Sequence, residues 1–80
     1  MLYKEGALQT TDIMIHIDDQ LDPSQQQAIE SELRGIEGVI APRFNKPHLL
    51  VISYNSDVTN TSVLLKAVRD KGYQAQLVGM

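Results

Sequence analysis

His16 and His48 are the only imidazoles in the chain, and with Met14 they form the side-chain set best suited to a soft or borderline metal ion. Met14 and His16 alternate with Ile13, Ile15 and Ile17, so a strand here turns both toward the side opposite the isoleucines. His48 opens a later strand-like stretch and can come beside His16. Two imidazoles make an incomplete zinc site, so the expectation is a weakly held ion beside the ordinary hydrogen-bonding role of such histidines. A second constellation, Asp18-Asp19-Gln20-Leu21-Asp22, has the D-D-x-x-D spacing that holds magnesium and a diphosphate on a long helix. Pro23 follows it directly, and no Lys or Arg cluster stands near for a diphosphate. The acids read more simply as charge placed favourably near a helix N-terminus, with a weak hard-cation site as the other reading. Ser24, Ser53, Ser56 and Ser62 fall at cap and loop positions, so nucleophilic catalysis finds no support.

The elements that must position these groups follow from pattern. Asp12 to Asp18 alternates as a strand. Asp22-Pro23-Ser24-Gln25 supplies an N-cap, a proline at the first helical position and a capping-box glutamine. The spacing predicts a helix with Ala28, Ile29, Leu33 and Ile36 inward, Gln26, Gln27, Glu30 and Glu32 toward water, and its end at Gly35 or Gly38. Val39 to Phe44 reads as a strand broken by Pro42, which confines it to a sheet edge. Asn45-Lys46-Pro47 is turn chemistry, and His48 to Tyr54 is the most strand-like stretch, so the two pair as a hairpin. After a polar loop, Thr61 to Lys71 forms a second helix with Leu64, Leu65 and Val68 inward, closed by Gly72. Tyr73 to Val78 is the last strand. The order β-α-β-β-α-β predicts an α+β, ferredoxin-like fold: a four-stranded antiparallel sheet with two helices on one face.

Eighty residues with 42% hydrophobic side chains suffice for one small folded domain. Residues 12–80 are read as that domain, and residues 1–11 as an N-terminal segment outside its plan. The absence of cysteine removes disulfides, thiolate nucleophiles and thiolate metal ligands. Seven scattered basic residues against ten acidic ones, net charge −3, argue against nucleic-acid binding. The longest apolar run, Leu49 to Ile52, is far too short for a membrane span. The expectation is a soluble, cytoplasmic protein that is not an enzyme.

Anchored on Glu37-Gly38-Val39, the chain resembles a heavy-metal-associated domain, the module of copper chaperones and of metal-transporting ATPase arms. The matching features run from about Ile13 to Leu77. They are the apolar first strand, Leu33 before Gly38-Val39, Val51 with Tyr54-Asn55, and Lys71-Gly72-Tyr73-Gln74-Ala75. The resemblance implies a metal loop at the start of the first helix. Where that family places Met-X-Cys-X-X-Cys, counting back from Gly38-Val39 puts Gln20, Asp22 and Gln25, with Tyr73 close beneath the loop. An anionic sulfur pair is what grips Cu(I), and a carboxylate with a neutral amide does not replace it. Asp22 and Gln25 are therefore read as a helix cap, and Tyr73 as a side chain closing the core.

Parity also turns Leu49, Val51 and Ser53 toward the sheet's open face, beside Met14, His16 and Val78. An apolar patch of this kind usually has a cover. Leu2, Tyr3 and Leu8 are one candidate; a different protein or a second copy, packed on the face or paired at a sheet edge, is the other. No aromatic platform for RNA is present. Two readings follow: a binding or adaptor module that has lost the thiolate site and needs no cofactor, or a copper or zinc handler using Met14, His16, His48 or the Asp18, Asp19, Asp22 cluster.

Overall fold

The computed structural model describes residues 10–78. Leu2, Tyr3 and Leu8, and with them the expectation that they cover the open face, lie outside the described residues. Six elements follow in the order expected: β1 (Thr10–Ile17), α1 (Pro23–Arg34), β2 (Val39–Lys46), β3 (Leu49–Asn55), α2 (Thr61–Asp70) and β4 (Ala75–Leu77). The sheet order is β2-β3-β1-β4, and every neighbouring pair is antiparallel. Pro42 thus sits on an edge strand, where its missing N–H costs no ladder bond.

One face of the sheet carries the core. Ile13, Ile15 and Ile17 from β1 and Leu50, Ile52 and Tyr54 from β3 pack with Ile29 and Leu33 of α1 and Leu64 and Val68 of α2. Both helices therefore cover the same face, as a strand period of two and a helix period of 3.6 jointly require. Ala28 departs from the stripe expected of it: it is exposed, while Gln26 and Glu30, expected in water, are half-buried. Helix α1 is rotated so that Leu21, Ile29 and Leu33 fill the core and polar side chains flank them. The smallest apolar side chain gives up its place at least cost.

The ends are set locally. In α2, Asn60 caps through its side chain, which accepts from the Val63 N–H at 3.1 Å. Strand β1 begins at Thr10, two residues before the expected start at Asp12, because Thr10 and Thr11 pair with Asn55 and Tyr54. Strand β4 is only three residues long, since Tyr73 and Gln74 serve the loop that leads into it. The β2–β3 turn is Pro47-His48 rather than Asn45-Lys46-Pro47, because β2 runs on through a bulge to pair Lys46 with Leu49.

Gly38 takes φ 97°, and its carbonyl accepts from the Asn55 N–H at 2.7 Å. A Cβ built there would meet Val58 Cβ and Cγ1 at 2.9 Å, whereas one at Gly72, φ 96°, would meet nothing within 4 Å. Both positions carry the strain of a positive φ, but only Gly38 adds a collision with a neighbouring loop. Urea unfolding should show Gly38→Ala losing about 3 kcal/mol and Gly72→Ala about 1 kcal/mol. Equal losses would contradict the close approach of the α1–β2 turn to Val58.

Candidate functional site: the helix-one loop and the open sheet face

The loop from Asp18 to Asp22 is held at several points. The Gln25 N–H donates to Asp22 Oδ1 at 2.8 Å, and the Asp22 N–H donates to Gln25 Oε1 at 3.0 Å. Asp22 has extended backbone at φ −84° and ψ 169°, with Pro23 opening the helix. These are the reciprocal bonds of a capping box, and they satisfy two backbone donors that the helix itself cannot serve. Upstream, the Asp18 N–H donates to the Gln74 carbonyl at 2.8 Å, and the Gln74 N–H donates to Asp19 Oδ1 at 2.7 Å. Arg69 Nε donates to the Ala75 carbonyl at 2.9 Å, fixing the entry to β4 from the helix side. Tyr73 is half-buried and packs against the core beside this junction.

The three carboxylates of D-D-x-x-D do not converge. Asp22 caps α1, Asp19 accepts from Gln74, and Asp18 lies 3.0 Å from His16 Nδ1. Among the described residues no three His, Asp or Glu side chains are grouped closely enough to hold a metal ion. The reading of Asp18, Asp19 and Asp22 as one cation site is corrected accordingly: a strand-to-helix loop sends successive side chains in different directions, Asp19 and Asp22 each to a backbone N–H and Asp18 to the His16 ring.

On the open face, parity holds as expected. Val51 stands opposite Met14 on one side and Arg43 on the other, and Leu49 stands opposite His16, which in turn pairs with Gln76. The Val78 N–H donates to the Met14 carbonyl at 2.9 Å, bringing Val78 alongside. An apolar row thus runs from Val51 of β3 through Met14 of β1 to Val78, just past the end of β4. It is bounded by Ser53 and Asp12, joined by a 2.7 Å hydrogen bond. Val51 is 9% exposed although it lies outside the helix-side core; Met14, Leu49 and Val78 are half-buried.

The structure brings His16 and His48 together. Their ring centres are 5.9 Å apart with planes 21° from parallel. His48 lies in the turn before β3 rather than in the strand, and it clamps Ile17: the Ile17 N–H donates to the His48 carbonyl at 2.9 Å, and His48 Nδ1 lies 2.8 Å from the Ile17 carbonyl.

One contact had no sequence signal beyond Pro42 itself. Glu30 Oε2 accepts from the Phe44 N–H at 3.1 Å, so the helix occupies a donor of the edge strand. With Pro42 offering no N–H and register shifts at both ends of β2, that edge is poorly fitted to accept another strand.

Neither a protein-family model nor a curated protein matches the sequence. Solved structures do. MerP from Ralstonia metallidurans, in its oxidized form, aligns with TM-score 0.78 and 17% identity over 88% of this chain and 99% of its own. The N-terminal domain of a potential copper-translocating P-type ATPase from Bacillus subtilis, solved in its Cu(I)-loaded state, aligns with TM-score 0.79 and 28% identity over 88% and 89%. A CopZ metallochaperone aligns with TM-score 0.74 and 22% identity over 85% and 100%. The chain has the fold of the heavy-metal-associated domains. At the start of α1 stand Gln20, Asp22 and Gln25, and these donors do not fit Cu(I). They are hard oxygen and amide groups, and the Asp22 and Gln25 oxygens already accept backbone bonds. Among the described residues no helix is long and apolar enough to cross a membrane.

Two substitutions separate these local contacts. Asp22→Ala should cost about 1 kcal/mol in thermal or urea unfolding. Glu30→Ala should cost about 1 kcal/mol and speed amide exchange at Phe44 selectively; unchanged exchange there would show that the carboxylate does not protect the edge.

Proposed function

We propose that the chain is a non-enzymatic binding module: a heavy-metal-associated fold without a thiolate site, acting through protein contacts made by its open sheet face. The observation that carries this reading is the reciprocal bonding of Asp22 and Gln25. At the point where a copper module presents soft ligands, this chain spends its side chains on the helix's own amides. A group serving as a cap acceptor is not free to bind and release cargo.

The contact surface is argued from what the sheet leaves open. Strand β2 is blunted by Pro42, by Glu30 on the Phe44 N–H and by irregular register, and β4 is short. Strand addition therefore has little to build on, whereas the half-buried Met14, Leu49 and Val78 form an apolar surface around the buried Val51. A protein docking there buries side chains without needing unpaired backbone. A cytoplasmic setting belongs to the same proposal.

The test is an anaerobic Cu(I) competition against a chromophoric chelator, comparing the natural chain with the double variant Asp22→Cys, Gln25→Cys. The natural chain should leave the chelator loaded, and the double variant should gain at least about 100-fold in affinity, roughly 3 kcal/mol. Equal competition by both chains would refute the proposal. On the face, Met14→Glu should abolish capture of the partner while leaving the unfolding midpoint nearly unchanged; a partner retained by that variant would place the contact elsewhere.

A further inference from the structure

The open face is positively charged along one side. Residues directly opposite each other in an antiparallel pair share a face, so the register sets Arg43 beside Val51 and Lys46 beside Leu49, away from the helices. Both side chains are exposed. Neither has an acidic partner among the described residues: Glu30, which reaches β2, accepts from the Phe44 N–H, and the ion pairs there join Lys66 with Asp70, Lys71 with Glu32 and His16 with Asp18. Asp12 lies two strands away from the β2 edge and is bonded to Ser53. A chain of net charge −3 thus keeps two free cations flanking its apolar row.

The sheet edges decide what kind of element can sit on that row. Because β2 is blunted and β4 is short, an occupant must bring a backbone whose hydrogen bonds are already made, as a helix does. The spacing agrees. Rows two residues apart along a strand are separated by about 7 Å, and positions four apart on a helix advance by about 6 Å. An apolar stripe at helical spacing therefore covers the Met14 and Leu49 rows, and acids four residues apart on its flank come level with Arg43 and Lys46. A second copy fits less well, since two such faces packed together bring both cation pairs into one interface.

We propose that the occupant of the open face is an amphipathic helix of a partner protein with acidic residues along the flank that lies over β2. This rests on the reading of that face as a protein contact and adds the chemistry of what it contacts. The apolar row supplies the buried area. Arg43 and Lys46 select against basic helices and fix which flank of the helix faces β2.

Two designed helical peptides with the same leucine stripe, flanked by glutamates in one and by lysines in the other, test the proposal through the Met14 methyl and Arg43 side-chain resonances. At low ionic strength the glutamate peptide should bind at least about 10-fold more tightly, and its advantage should shrink as salt is added. The double variant Arg43→Gln, Lys46→Gln should bring the two peptides level, and Arg43→Glu, Lys46→Glu should reverse their order; both change exposed side chains and should leave the unfolding midpoint nearly unchanged. Equal binding of the two peptides to the natural chain, with Met14 moved by both, would overturn the charge selection and leave the face in use. If neither peptide moves Met14, the use of the face falls as well. Dimerisation through this face in sedimentation, or attachment to phosphatidylglycerol vesicles that is lost in the double Gln variant, would give the face a different occupant and overturn the proposal.

Discussion

Helix α1 starts where it does because two side chains three residues apart satisfy each other's backbone amides. Asp22 and Gln25 exchange bonds of 2.8 and 3.0 Å across the first turn, and Pro23 between them is already restricted to helical φ. The orientation of α1 follows from that start: Ile29 and Leu33 reach the sheet at helical spacing, and Glu30 reaches the edge strand. The same interaction decides the chemistry of the loop. Oxygens committed to a cap at the N-terminus of a helix are stabilised by the dipole and by the amides they accept from, and they have nothing to offer a soft cation.

The sheet divides the molecule into two faces with different tasks. The helix face is filled by aliphatic side chains from β1 and β3, with Pro42 of the edge strand also fully buried on it. The other face is built from the alternate residues of the same strands, so its composition is as much a consequence of period two as the core is. A one-residue slip of β1 would exchange Ile15 for His16 and destroy both faces together. The register between β1 and β3, seven residue pairs long, is therefore what keeps the apolar row and the histidine pair where they are.

Much of this was legible in the sequence because the relevant forces are local. Alternating isoleucines, the D-P-S-Q cap, Lys71-Gly72 and the edge-strand proline each act over a few residues, and each appears where pattern places it. The face assignments of Met14, His16, Leu49 and Val51 also followed, since parity needs only the strand. Contacts between distant segments were not legible. Glu30 on the Phe44 amide, and Asp19 on the Gln74 amide 55 residues away, use ordinary polar side chains whose spacing carries no periodic signal. The rotation of α1 that exposes Ala28 depends on the packing of Leu21 and Ile29 against two strands, which the helical stripe alone does not determine. The proximity of His16 and His48 was anticipated, but not the clamp on Ile17 that orients the second ring.

Copper content of the untagged protein, isolated from its own cells under anaerobic, reducing conditions, tests the central claim most directly. If the helix-one turn serves only its own amides, Cu(I) should be far below one ion per chain. One Cu(I) per chain, retained through purification and bound at the Asp22–Gln25 turn, would contradict it.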